Sequence, residues 1–211
     1  MFLNDQVSKV SEIRTGDNLF FSQYINRVYR ALEETIVTSM DLLKIGTEDG
    51  FKQWCDMTRF VHRQENTIFL VGNGASASMA SHMAADMVKS CRVRAMAFND
   101  SSLLTAVSND ISYEKSFSTP LDIYGKEGDL LITISSSGNS PNIIDAIKAA
   151  RLLKMDVITI SAMNENNGSR RAGDLNFYVP ENEYGLVESC HQTILHCWLD
   201  MYIETYMKQK N

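Results

Sequence analysis

Three groups of residues have the types and spacing for chemistry. The first is Ser135-Ser136-Ser137-Gly138-Asn139-Ser140-Pro141, which sets four hydroxyls and an amide around a glycine just before a helical pattern at 142–153. Ser140 suits an N-cap, and Pro141 suits the first helical position, where its missing N–H costs nothing. Gly138 lets the backbone approach an anion, while free N–H groups, the helix dipole and the hydroxyls all point donors at it. A helix needs one capping oxygen, so the surplus of hydroxyls favours a phosphate monoester over a plain serine-rich turn.

The second group, Gly72-Asn73-Gly74-Ala75-Ser76, opens a helical pattern at 78–89. It lacks the GK[ST] ending of a P-loop and the GxGxxG order of a dinucleotide fingerprint, which disfavours a nucleotide cofactor. Alone it reads as a tight turn; beside the serine loop it closes the other side of one small pocket. The third group is titratable. His82 and Asp86 stand four residues apart on one helix face, a spacing suited to a shared metal or proton and equally to a surface ion pair. Glu188 and His196 share a stripe of the last helix about 12 Å long, with His191 pointing elsewhere.

The elements that must carry these groups are legible from periodicity. Short apolar runs at 67–72, 92–98, 129–135, 156–162 and 174–180 alternate with helical segments, the pattern of a doubly wound α/β domain with a parallel sheet covered on both faces. In such sheets ligands bind at the carboxyl ends of the strands, where both loops fall. Apolar residues at three- and four-residue intervals predict helices over 17–45 and 47–64, whose stripes need a partner in the core or in another subunit. A final helix is expected over 185–208, and the polar stretch 163–173 forms a loop placed to act as a lid. This divides the chain into a helical extension, 1–64, and a ligand-binding domain, 65–211. Trp54, Trp198 and the eleven methionines read as packing residues.

A net charge of −6 opposes binding to nucleic acid or anionic membrane surfaces. Cys55, Cys91, Cys190 and Cys197 are irregularly spaced and read as reduced thiols, and the polar N-terminus lacks a signal peptide's apolar run, so the protein is expected in the cytoplasm.

Taken in order, GNGAS, His82 and Asp86, Asn109-Asp110, ITISSSGNSPNIIDAIKAAR and a last helix bearing Glu188, His191 and His196 resemble the phosphoheptose isomerases of the sugar isomerase (SIS) domain superfamily. The likeness runs from about residue 67 to 200. It implies a flavodoxin-like sheet of five parallel strands. It also implies interconversion of sedoheptulose 7-phosphate and D-glycero-D-manno-heptose 7-phosphate through an enediol(ate), in homotetramers with active sites between subunits. It places zinc or another divalent metal on His82, Asp86, Glu188 and His196, and assigns base and acid to Asp86 and His196 in either order. Asn73, Gly74 and Asp110 would meet the sugar; Ser76, Ser135, Ser136, Ser137, Asn139 and Ser140 would hold the phosphate. The chain departs from the family pattern at Asp86 (for Glu), Glu188 (for Gln), Ser90 (for Arg) and Gly185 (for Asp). Glu188 adds a negative charge that favours a cation. The alternative reading is a non-catalytic member that binds sugar phosphate as a sensor or acts as an assembly or regulatory factor.

Overall fold

The computed structural model describes residues 19–208. Residues 1–18 and 209–211, at the outer ends of the two units expected from the sequence, lie outside it. Helix α1 (Phe20–Glu33) leads to β1 (Ile36–Ser39), β2 (Lys44–Ile45) and α2 (Thr47–Arg63). The alternating part follows as β3 (Thr67–Gly72), α3 (Ala75–Asp86), β4 (Arg94–Ala97), α4 (Ser101–Asp110), α5 (Ser118–Tyr124), β5 (Leu130–Ser135), α6 (Pro141–Leu152), β6 (Asp156–Ala162), β7 (Leu175–Val179) and α7 (Tyr184–Tyr202). Helices α3 and α7 each run on into a π-helical turn, at Met87–Cys91 and Ile203–Met207.

One sheet has the order β2-β1-β7-β6-β5-β3-β4. The five strands from β3 to β7 are mutually parallel, as the alternating pattern predicts, and their order is that of a flavodoxin-like sheet. Strands β5 and β7 are buried at every position, which is why they read as unbroken apolar runs. One face packs Ile132, Ile158 and Phe177 against Trp54, Met83, Leu195 and Trp198 from α2, α3 and α7. The other packs Phe69, Val71 and Leu131 against Phe117, Leu121, Ile143 and Ile147 from α5, α6 and the segment before α5.

The expected helix over 17–45 is overturned in its second half. It ends at Glu33, and residues 36–45 fold into an antiparallel hairpin whose β1 also pairs antiparallel with β7, bringing the sheet to seven strands. The run Ile36-Val37-Thr38 explains this, because β-branched side chains lose rotamers in a helix and pack well on a pleated sheet. Val37 is only 1% exposed and lies opposite Phe177. Gly50 of α2 makes room for it, since a Cβ there would come within 2.6 Å of Val37 Cγ1. Helix α4, capped where Asp100 accepts from the Leu103 N–H at 2.9 Å, and the short α5 fill a stretch the periodicity left unassigned. Among the described residues no helix is long and apolar enough to cross a membrane.

His191 is fully buried beneath α7, and neither ring nitrogen makes a well-formed hydrogen bond. Burial lowers its pKa to about 4, and the nearby main chain of Ser161 offsets this only in part. The unfolded chain takes up a proton near pH 6.5 while the folded chain resists until about pH 4, so stability should fall as pH drops through that window. The full loss is about 3 kcal/mol. Urea titrations at pH 7 and pH 4.5 should show most of it in the native protein and much less in His191→Phe; equal slopes in both would refute it.

Candidate active site

The carboxyl ends of β3 and β5 sit side by side, and the loops leaving them form the two walls of a cleft of ≈ 260 Å³. Asn73 and Gly74 come from the first loop, Ser76 from the first turn of α3, and Ser135, Ser136, Ser137 and Ser140 from the second loop and the strand end before it; Tyr184 and Glu188 of α7 add to the lining. Gly74 adopts φ +58° and Gly138 φ +63°, the left-handed region that disfavours a side chain. A Cβ on Gly138 would also fall 2.0 Å from Asn167 Oδ1.

The serine loop is braced from below. Asn167, fully buried, donates to Ser161 Oγ at 3.0 Å and accepts from the Arg170 N–H at 2.9 Å. The Ser169 N–H donates to the Gly138 carbonyl at 2.8 Å, and the Gly168 N–H to Asn139 Oδ1 at 2.8 Å. The 163–173 loop expected as a lid is therefore tied to the serine loop as a buttress. Asn139 spends its carbonyl on that tie and is not among the residues lining the cleft. Asp110, at the end of α4, is exposed, accepts from Asn109 Nδ2 at 2.8 Å and likewise stands off the cleft wall.

Helices α3 and α7 both start at this cleft and converge further along. His82 Nε2 lies 3.3 Å from Asp86 Oδ2, and the His82 and His196 rings meet edge to face with centroids 5.4 Å apart. Ligand atoms of His82, Asp86 and His196 all lie within 4.8 Å of one another. Lys89 Nζ sits 2.9 Å from Asp86 Oδ1, and its hydrogen bond holds the Asp86 carboxyl below the usual range, aided by both histidines and opposed by partial burial. Asp86 is therefore ionised at neutral pH. Two imidazoles and a carboxylate form a donor set that suits zinc and leaves a coordination position open. Of the four residues expected to hold a metal, Glu188 does not join this group; it lies with the serines in the cleft.

Three neighbours of the site escaped sequence reading. Lys89, at i+3 from Asp86, carried a signal as a helical ion pair. Tyr184 had none beyond lying one turn before Glu188. Asn142, in the first turn of α6, is bonded to Asn73 and had no sequence signal of its own.

A family model described as the SIS domain matches residues 23–162. The phosphoheptose isomerase of Shewanella frigidimarina (strain NCIMB 400) is 30% identical over 193 residues, covering 88% of this chain and 98% of that protein. Among solved structures, phosphoheptose isomerase GmhA from Neisseria gonorrhoeae superposes with a TM-score of 0.75 at 26% identity, covering 95% of this chain and 99% of that one. A phosphoheptose isomerase from Francisella tularensis shares the fold with a TM-score of 0.75 at 20% identity, over 97% of this chain and 100% of that one.

Proposed function

The chain belongs to the phosphoheptose isomerase family of SIS-domain proteins, and on that premise we propose that this sugar-phosphate isomerase interconverts sedoheptulose 7-phosphate and D-glycero-D-manno-heptose 7-phosphate. The observation that carries this reading is the spacing of the two sites along two shared helices. From Ser76 to His82 is six residues of α3, about 9 Å, and from Glu188 to His196 is eight residues of α7, about 12 Å. A sugar phosphate anchored by its phosphate in the serine cleft thus extends its far end toward His82, Asp86 and His196.

Isomerisation moves a proton from the carbon beside the carbonyl to its neighbour through an enediol(ate), with no external oxidant or reductant. Asp86, ionised and held by Lys89 and His82, is suited to take that carbon-bound proton. His196, on the facing helix, is suited to exchange protons with the adjacent oxygens, and by microscopic reversibility each group serves the same atoms in the reverse direction. His82, Asp86 and His196 would hold zinc, which when bound supplies Lewis-acid polarisation of the neighbouring oxygens. The serine hydroxyls and the Gly74 and Gly138 turns hold the phosphate, while Glu188 offers an acceptor to sugar hydroxyls.

The test is turnover of sedoheptulose 7-phosphate by protein as purified, after dialysis against a chelator, and after zinc is returned. Activity should fall at least about tenfold on dialysis and recover with zinc. Failure to convert any seven- or six-carbon ketose phosphate sinks the substrate reading; full activity after exhaustive dialysis sinks the metal.

The protein is further inferred to be a cytoplasmic homotetramer with active sites between subunits. Support comes from the outer face of α1, where Phe20, Phe21, Ile25 and Tyr29 are exposed, and from Leu43 in the nearby hairpin. Light scattering should give the mass of four chains, and a stable, active monomer would refute the assembly.

A further inference from the structure

Asn73 and Asn142 meet across the seam between the two loops and exchange amide hydrogen bonds. Asn73 Nδ2 donates to Asn142 Oδ1 at 2.9 Å, and Asn142 Nδ2 donates to Asn73 Oδ1 at 2.9 Å. The Tyr113 hydroxyl donates to the same Asn73 Oδ1 at 2.8 Å. The other hydrogen on Asn142 Nδ2 goes to Ser116 Oγ at 3.2 Å. A carboxamide offers two N–H donors and an oxygen with two lone pairs. On Asn73 both lone pairs and one N–H are therefore spent. A single N–H remains, on a residue that lines the cleft.

Asn142 itself is only 1% exposed and does not line the cleft, so it is not placed to touch a ligand. Its neighbours anchor it firmly. Ser116 is fully buried, and the turn carrying Tyr113 is pinned to α6 by Lys115, whose Nζ lies 3.0 Å from Asp145 Oδ1, and by a hydrogen bond from Ser118 to the same carboxylate. A free asparagine side chain can present its oxygen or its nitrogen equally well. That of Asn73 is held in place by partners from two other segments, with its oxygen turned toward Tyr113 and Asn142.

We propose that Asn142 is a positioning residue of the isomerase: paired with Asn73 and assisted by Tyr113, it fixes the Asn73 carboxamide so that one N–H, and not the oxygen, faces an acceptor oxygen of the bound sugar phosphate. The proposal rests on the sugar-phosphate reading above. It predicts that Asn73 favours ligands with an oxygen acceptor at that point and contributes nothing as an acceptor itself.

The experiment is a double-mutant cycle on the whole protein, measuring KM and kcat for sedoheptulose 7-phosphate and the thermal shift that this compound produces. Asn142→Ala and Asn73→Ala should each raise KM about tenfold, the scale of one hydrogen bond, with kcat within about threefold of the native value. The double variant should be no worse than Asn73→Ala, because Asn142 acts only through Asn73. Native KM in Asn142→Ala, or losses that add in the double variant, would overturn the proposal. Should Asn142→Ala fail to fold, Tyr113→Phe decides, since Tyr113 is 57% exposed. It should raise KM about threefold alone and leave it unchanged in the Asn73→Ala background; a threefold loss that persists there is the contrary result. A native protein neither converting nor stabilised by sedoheptulose 7-phosphate would instead remove the sugar-phosphate reading, and this inference with it.

Discussion

Asp86→Asn is expected to lower kcat for the isomerisation by about 10²–10⁴-fold while leaving the affinity for sugar phosphate within a few-fold of native. The substitution keeps volume and one acceptor oxygen but removes the negative charge that Lys89 and His82 hold between them. An amide cannot accept the carbon-bound proton, and it is a weaker ligand than a carboxylate for a divalent ion. The serine cleft proposed to hold the phosphate lies about 15 Å along α3 from Asp86, counted from Ser76, so binding there should survive. Single-turnover measurements with saturating substrate separate the two effects. A kcat within tenfold of native would remove Asp86 from the chemistry, and a matching loss of affinity would show that the two sites are not separate.

Trp54→Ala should destabilise the fold by about 3–5 kcal/mol, the range for deleting a large aromatic from a core. Trp54 is fully buried, stacked on Trp198 with ring centroids 4.6 Å apart and tilted against Phe177 at 5.1 Å. Its ring thus joins α2, α7 and β7, three elements distant in sequence. Stacked and tilted aromatic pairs add to area burial. The melting temperature should drop on the order of 10 °C. Trp198 lies two residues after His196, so a loosened α7 should also lower kcat near the melting point more than at 15 °C. A loss under 1 kcal/mol would mean that the three elements are held by other contacts.

The parallel strands were legible because burial on both faces leaves unbroken runs of Ile, Leu and Val, as in β5. Helix α1 was legible only to Glu33, since the apolar positions of 36–45 fit a helical stripe and a strand equally; the β-branched Ile36-Val37-Thr38 was the deciding signal. The cleft was legible as a hydroxyl-rich run, Ser135 to Ser140, at the carboxyl end of a strand, although the Ser135 and Ser137 hydroxyls also accept from the Gly138 and Asn139 N–H groups. Asn139 could not be placed that way. Whether an asparagine in such a loop faces a ligand or the chain behind it depends on Gly168, which arrives from a distant loop. The placing of Glu188 shows the same limit, since eight residues of helix separate it from His196, and only the packing of α7 on α3 decides which groups converge.

The pairing of β1 with β7 also has a consequence for the order of assembly. Strand β1 is made well before β7, and contacts so distant in sequence are costly to close. During synthesis the hairpin waits without its neighbour, and the apolar side of Val37 waits with it. The sheet is sealed at that margin only when the last strand is complete, so a nascent chain stalled before β7 carries an open strand edge, the kind of surface on which chains stick to one another.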